Sequence, residues 1–382
     1  MKFEIKRRQE LKKIRFGDYP YIVTRVKVMK SKLLRNKDYI RMEKMGMNEM
    51  IRFLEESEYK VEIDSLSKEY RGMELIELAL NENLANIINK LLRISLRKEV
   101  KLLIEFYSRK WILNNIKLVL RTRMNKLGEK DLKYGIIPIK PMDYEKCFEM
   151  YREEEGKFLE TVSEIKNLDM EEFKKLYQAD NLVGMENEID KAFYSQLIDL
   201  KNKIRMGEKD PLKQFFDHLV YLMNIKNIIL FKKEGTEEGT IRKMMVFEEA
   251  GERRDVMRFI RKGRREKMAE FMESLVKSED METLMGRLKA SEYSALVTKE
   301  IEEDASKLES SIDRFLLLHA SRLLHRQPLS VSPIFGYLLS KEIEIQNIRL
   351  MIHSKAMNLG SEFVSSNIIV PEESMYRVIK NA

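Results

Sequence analysis

KLLIEFYSRKWILNNIKLVLRTRMNKL, Lys101 to Leu127, reads as one long apolar helix with a single asparagine set into its greasy face. Residues four apart stack on one side of a helix, and stepping by four gives Tyr107, Trp111, Asn115 and Val119. The chain writes the pattern twice more, as Phe216, Val220, Asn224, Ile228 and as Leu339, Ile343, Asn347, Met351. The local sequence follows suit: Asn115-Ile116-Lys117, Asn224-Ile225-Lys226 and Asn347-Ile348-Arg349. A second signature keeps step. Glu77-x-x-Leu80-Asn81, Glu186-x-x-Ile189-Asp190 and Glu309-x-x-Ile312-Asp313 each precede their asparagine by 38 residues. Two signatures in fixed step, three times over, are the mark of a triplicated supersecondary unit.

The remaining sequence is consistent with an all-α chain. Gly (15) and Pro (7) are scarce among 382 residues, and 43% are apolar, enough to fill more than one core. Three helical bundle domains are expected: a basic arm over 1–18, repeats over 19–140, 141–235 and 236–360, and a tail over 361–382 that packs on the body as a short extended piece or helix. In the first repeat the pattern predicts helices over 21–35, 47–56, 73–94 and 97–124. Pro138 and Pro141 cannot both sit inside a helix, so 134–141 reads as a joint. Asp210-Pro211 and Ser332-Pro333 read as helix starts, a cap followed by proline. Leu54-x-x-Ser57-Glu58-Tyr59 returns as Leu288-x-x-Ser291-Glu292-Tyr293, tying the third unit to the first; the second is degenerate there.

The catalytic inventory is thin. Gly235-Thr236-Glu237-Glu238-Gly239-Thr240 lacks the lysine of a phosphate loop, and no metalloprotease, CxxC, nucleophile-elbow or calcium-loop motif occurs. His218, His319, His325 and His353 stand at no ligand spacing, and Cys147 is alone, which fits a reducing compartment. Neither a metal nor a cofactor is expected. No apolar run is long enough to span a bilayer, and the N-terminus has no signal-peptide core.

Asn115, Asn224 and Asn347 need partners, because a buried amide without them costs about 1–3 kcal/mol. The structural expectation is a helix-to-helix bond that latches the repeats, with Glu77, Glu186 and Glu309 as the companion latch residues; the functional one is a polar ring facing an axis. Net charge is +8, which calls for an anionic partner. The densest cluster is Arg253, Arg254, Arg258, Arg261, Lys262, Arg264, Arg265 and Lys267. It reads either as a solvated helix face or as a contact for headgroups, phosphates or acidic loops.

YPYIVTRVKVMKSKLL, IRFLEESEYK, ELIELALNENLANIINKLLRIS, MENEIDKAFYSQLI and KEIEIQNIRLMIHSKAMNL together resemble the C subunit of archaeal-type (A/V-type) rotary ATP synthases, a relative of the d subunit of vacuolar ATPases. The resemblance runs from about Tyr19 to Pro371. It implies three pseudo-threefold-related helical domains forming a funnel or socket: a non-catalytic central-stalk rotor part at the cytoplasmic face of the membrane. The partners it implies are the D and F subunits of the central shaft and the proteolipid ring, and anionic lipid headgroups are a further candidate for the basic segment. Two rivals have distinguishing marks. A helical nucleic-acid-binding protein would set aromatic platforms beside its basic clusters, and the aromatics here lie on apolar stripes, so no nucleic acid is expected. An enzyme on a helical scaffold would need a nucleophile, and none is singled out.

Overall fold

The computed structural model describes residues 19–204, 210–246, 268–297 and 307–370. All regular structure in them is helical, apart from isolated bridges such as that between Ile139 and Met142. The chain is all-α, and its described residues fall into two compact units. One holds 19–189 and 317–370; the other holds 190–204, 210–246, 268–297 and 307–316.

In the first unit a short-helix layer (Pro20–Ser31, Asn36–Glu43, Met47–Glu55, Lys60–Leu66) precedes two long helices, Gly72–Ile94 and Lys98–Met124. The expected helix over 21–35 stops at Ser31, and a separate one starts at Asn36, where the Asp38 carboxylate accepts from the Arg35 N–H (2.7 Å). Val23, Val26, Met42, Met50, Leu54 and Ile63 are buried from these short helices; Met47–Glu55 and Lys60–Leu66 pack on Gly72–Ile94, which buries Ile76, Leu80, Leu84 and Leu91, and Pro20–Ser31 packs on the later helix Ser332–Ala356. The unit also contains Glu129–Gly135, Tyr144–Arg152, Glu155–Ser163 and Met170–Gln178, and later Ser332–Ala356 and Ser361–Asn367. The helices Leu182–Lys203 and Leu308–His325 each begin in one unit and end in the other.

Helix Ser332–Ala356 makes its closest approach at Gly336. A Cβ there would stand 2.7 Å from the Ala320 carbonyl oxygen and 2.7 Å from Leu324 Cγ, so only glycine lets this helix and Leu308–His325 touch. Its expected cap is absent: Val331 precedes the helix, and the buried Ser332 hydroxyl has no hydrogen-bond partner. The Asp210-Pro211 start is as expected. Asp210 Oδ1 accepts from the Leu212 N–H (2.9 Å), and Pro211 opens the helix Pro211–Lys233 at the heart of the second unit. Around it lie Glu238–Met244, the helical residues 268–276 and Met281–Lys289, with Phe215, Ile225, Ile228, Leu275, Leu284 and Leu288 buried.

Candidate functional site: three asparagine clasps and the junctions beside them

Each asparagine-bearing helix ends in the same way. Eleven residues past the asparagine the backbone turns left-handed, at Lys126 (φ 53°), Gly235 (φ 72°) and Asn358 (φ 53°). The following N–H then reaches back across the last turn: Leu127 to Thr122 O (2.9 Å), Thr236 to Phe231 O (2.9 Å) and Leu359 to Ser354 O (2.8 Å). This is the helix-stop geometry that satisfies a terminal carbonyl. A seven-residue helix follows in each case, Glu129–Gly135, Glu238–Met244 and Ser361–Asn367, burying Leu132, Ile241 and Val364 in turn. The chain then runs extended and meets the asparagine it left behind.

The amide of an asparagine side chain has the shape of a peptide group, so it can pair with both the N–H and the C=O of one residue. All three do. Asn115 Nδ2 donates to Ile137 O (2.6 Å) and Asn115 Oδ1 accepts from the Ile137 N–H (3.1 Å). Asn224 does the same with Val246 (2.9 and 2.9 Å), and Asn347 with Ile369 (2.7 and 2.9 Å). The separation is 22 residues every time. Asn115 adds a third bond, to Met142 O at 2.9 Å. All three asparagines are buried, and each bond of this kind contributes about 1 kcal/mol net. The amides therefore meet main chain, and Asn347 also reaches the Tyr39 side chain on the helix Asn36–Glu43. They hold a strap of nine residues against the helix each strap came from. Residues 361–369 stand to Asn347 as 129–137 stand to Asn115, so the segment read as a tail contains the third strap.

Two of the three glutamates have basic partners from a neighbouring helix. In the first unit Glu77 accepts from Arg349 Nε (2.9 Å) and pairs with His353 Nε2 (2.8 Å). Arg349 also donates to Asn81 Oδ1, and Asn81 Nδ2 donates to Tyr134 O (2.8 Å). Glu186 takes both ends of Arg121, with Nη2 to Oε2 at 2.7 Å. Arg121 and His353 occupy the same place, six residues past their asparagines. The side chain of Glu309, and the whole cluster Arg253, Arg254, Arg258, Arg261, Lys262, Arg264, Arg265 and Lys267, lie outside the described residues.

Six residues before the asparagines stand Arg109, His218 and Lys341. Lys341 is 1% exposed, in mid-helix. Its ammonium lies 2.7 Å from Glu344 Oε1 and 3.8 Å from the centre of the Tyr59 ring. The Tyr59 hydroxyl donates to Glu344 Oε1 (2.8 Å), and the Leu34 N–H donates to Glu344 Oε2 (2.5 Å). Burial, then the Glu344 charge, then that hydrogen bond hold the Tyr59 phenol far above its ordinary range. Tyr39 and Tyr337 are pushed up by the same two leading causes, burial first and Glu344 second. In the second unit His218 Nδ1 lies 3.2 Å from the Tyr293 hydroxyl, and its ring stands edge-on to Tyr293 (5.8 Å) and Phe315 (5.4 Å). Tyr59 and Tyr293 are the tyrosines of the repeated Leu-x-x-Ser-Glu-Tyr. That echo, together with the basic residue six before each asparagine, was the available signal for these junctions.

The chemistry is that of gripping. Among the described residues no group of His, Cys, Asp and Glu is placed to hold a metal ion. The buried Cys147 thiol is pushed up to about 12 by burial, away from reactivity. No helix among them is long and apolar enough to cross a membrane.

Against known proteins, a family described as ATP synthase (C/AC39) subunit matches residues 22–366. The C subunit of the A-type ATP synthase of Methanococcoides burtonii is 30% identical over 354 residues, 93% of this chain and 95% of that protein. Its namesake from Methanosarcina acetivorans is 30% identical over 367 residues (95% and 96%), and that of Haloferax volcanii 27% over 361 residues (92% and 97%).

Proposed function

The chain belongs to the ATP synthase (C/AC39) subunit family, and from that premise we propose that it is the non-catalytic central-stalk part joining a rotating shaft to a membrane proteolipid ring at the cytoplasmic face. A coupling that passes torque has to resist shear between its parts while carrying no chemistry of its own. The observation that carries this reading is the triple clasp. Three long helices are each tied to the strap that follows by the same two bonds at the same spacing.

We further propose that the molecule is three copies of one module, each ending with its strap. Three polar pairs support this, each inside one unit. Lys341 of the third copy meets Tyr59 of the first; Arg121 of the first meets Glu186 of the second; His218 of the second meets Tyr293 of the third. On this reading Asn115, Asn224 and Asn347 are latches within a module, and Glu77 and Glu186 anchor points between modules. Glu309 and the Arg253–Lys267 cluster are assigned to the same two tasks, anchoring and contact with the ring or its headgroups.

The test is affinity purification of the tagged chain from its native membrane. The D and F subunits of the shaft and the proteolipid should co-purify in fixed proportion. Their absence, with the chain intact, removes the rotor assignment.

A further inference from the structure

Some cations near the surface of the first unit have a carboxylate at hand: Lys32 has Glu58, Lys110 has Glu342, Arg152 has Glu129 and Arg349 has Glu77. On one surface five basic side chains from two helices gather without one. Lys27 and Lys30 stand on the helix Pro20–Ser31, Arg322 and His325 in the last turn of Leu308–His325, and Arg326 just beyond it. The Tyr19 N–H donates to Leu329 O at 2.7 Å, which fixes the start of the first helix against the loop after the second. Among the described residues no carboxylate lies within ion-pair distance of any of the five.

Their charges act on two members of the cluster, His325 and Arg322. Burial and then Lys30 and Lys27 hold the His325 imidazole below its ordinary range; burial and then Arg326 do the same to Arg322; burial lowers Lys30. The negative ends of the two helices steady these charges in part, leaving a concentrated positive potential. Clustered lysine and arginine at a protein surface attract the negatively charged headgroups of an anionic bilayer.

We propose that this surface, built from Lys27, Lys30, Arg322, His325 and Arg326, binds the phosphate headgroups of an anionic lipid bilayer. The proposal rests on the reading above only in that it puts the chain beside a membrane; the surface itself is independent of the shaft and the ring.

The experiment is co-sedimentation of the full chain with vesicles of phosphatidylglycerol and phosphatidylcholine, against vesicles of phosphatidylcholine alone. The chain should bind the anionic vesicles and not the neutral ones, less tightly as salt rises. The variant Lys27→Gln, Lys30→Gln, Arg326→Gln, its helicity checked by circular dichroism, should bind about a hundredfold more weakly, at about fivefold per cation. A parallel variant, Arg258→Gln, Arg261→Gln, Arg264→Gln, controls for the other basic cluster. The proposal is overturned if the first variant binds like the parent, or if only the second loses binding. It is also overturned if inorganic phosphate at matched ionic strength displaces the chain fully, which assigns the surface to a soluble anion. Loss of co-purifying rotor proteins by the first variant, with vesicle binding intact, assigns it to an acidic protein surface instead. Failure of the purification from native membrane, with patch-dependent vesicle binding, removes the rotor reading and leaves this one standing.

Discussion

The junction around Lys341 in the first unit and the junction around His218 in the second occupy the same place in the repeated pattern. They are filled by different chemistry. Lys341, Glu344 and Tyr59 form a buried ion pair with every oxygen of the carboxylate engaged. His218, Tyr293 and Phe315 form a cluster of rings in which His218 Nδ1 meets the Tyr293 hydroxyl. A buried ion pair adds little net stability, because desolvating two charges offsets their attraction, yet breaking it leaves an uncompensated charge. A ring cluster loses only packing and one hydrogen bond when it is altered. The two junctions should therefore differ in what damage does to them, far more than in what they contribute when intact.

The largest effect is expected from Lys341→Met, which strands Glu344. It should cost about 3–5 kcal/mol of stability. Urea unfolding followed by the fluorescence of Trp111, the chain's one tryptophan and a residue of the first unit, measures this directly. The double variant Lys341→Met, Glu344→Leu should recover most of the loss, since it removes both charges together. If the double is as damaged as the single, the junction works by packing alone and the contrast with His218 collapses.

Alkali probes the same junction without a mutation. Tyr59, Tyr39 and Tyr337 all have folded-state values raised above the ordinary phenol. Their stabilisation is thus complete below the unfolded value, about 10, and is lost as pH climbs beyond it toward the folded one. Each such tyrosine costs about 1.4 kcal/mol per pH unit in that window. From neutral pH upward the first unit should begin to lose stability near pH 9, where the Cys147 thiol ionises in the unfolded chain, and fall steeply above about pH 10. A Tyr59→Phe variant should show a shallower fall, and an equal slope would show that Tyr59 ionises as it does in the unfolded chain.

The clasps come next. Replacing Asn115 with Leu leaves the buried Ile137 N–H without its partner, while the Ile137 carbonyl keeps the Ile139 N–H and the Met142 carbonyl keeps the Cys147 thiol; Asn347→Leu likewise strands the Ile369 N–H, and each should cost about 2 kcal/mol. Both are read by Trp111. For Asn224→Leu, faster hydrogen exchange at the Val246 amide is the expected sign, because that N–H bonds to the asparagine oxygen. Unchanged stability in Asn115→Leu would mean that water replaces the amide and the strap needs no latch.

How much of this was legible in the sequence follows from what each feature leaves there. Long helices with a lone asparagine per stripe are visible because apolar side chains recur at helical spacing. The asparagine's partner is invisible to the same method, since a peptide group has no side-chain signature. Its neighbourhood did leave a trace: Leu132, Ile136 and Ile137 recur at equal offsets as Ile241, Met245 and Val246 and as Val364, Ile368 and Ile369. Lys341 was hidden for the opposite reason. A lysine in a helix reads as surface, and only the fold brings Glu344 and the Tyr59 ring to it. Ser332 misled because a serine before proline resembles a cap wherever it stands, while the helix here begins one residue earlier.

The smallest effect tests the other half of the comparison. His218→Phe keeps an aromatic edge against Tyr293 and Phe315 and removes the contact between Nδ1 and the Tyr293 hydroxyl. The Tyr293 side chain is fully buried, so its hydroxyl loses a partner at a cost of about 1 kcal/mol. Hydrogen exchange over 211–233 and 281–296 gives the measurement in the second unit, where no tryptophan reports. A loss near that of Lys341→Met would mean that the His218 junction carries a charge of its own, and that the two places differ in residue but not in physics. A loss near 1 kcal/mol would mean that one repeated position tolerates a buried charge or a ring, provided that whatever faces it across the junction matches.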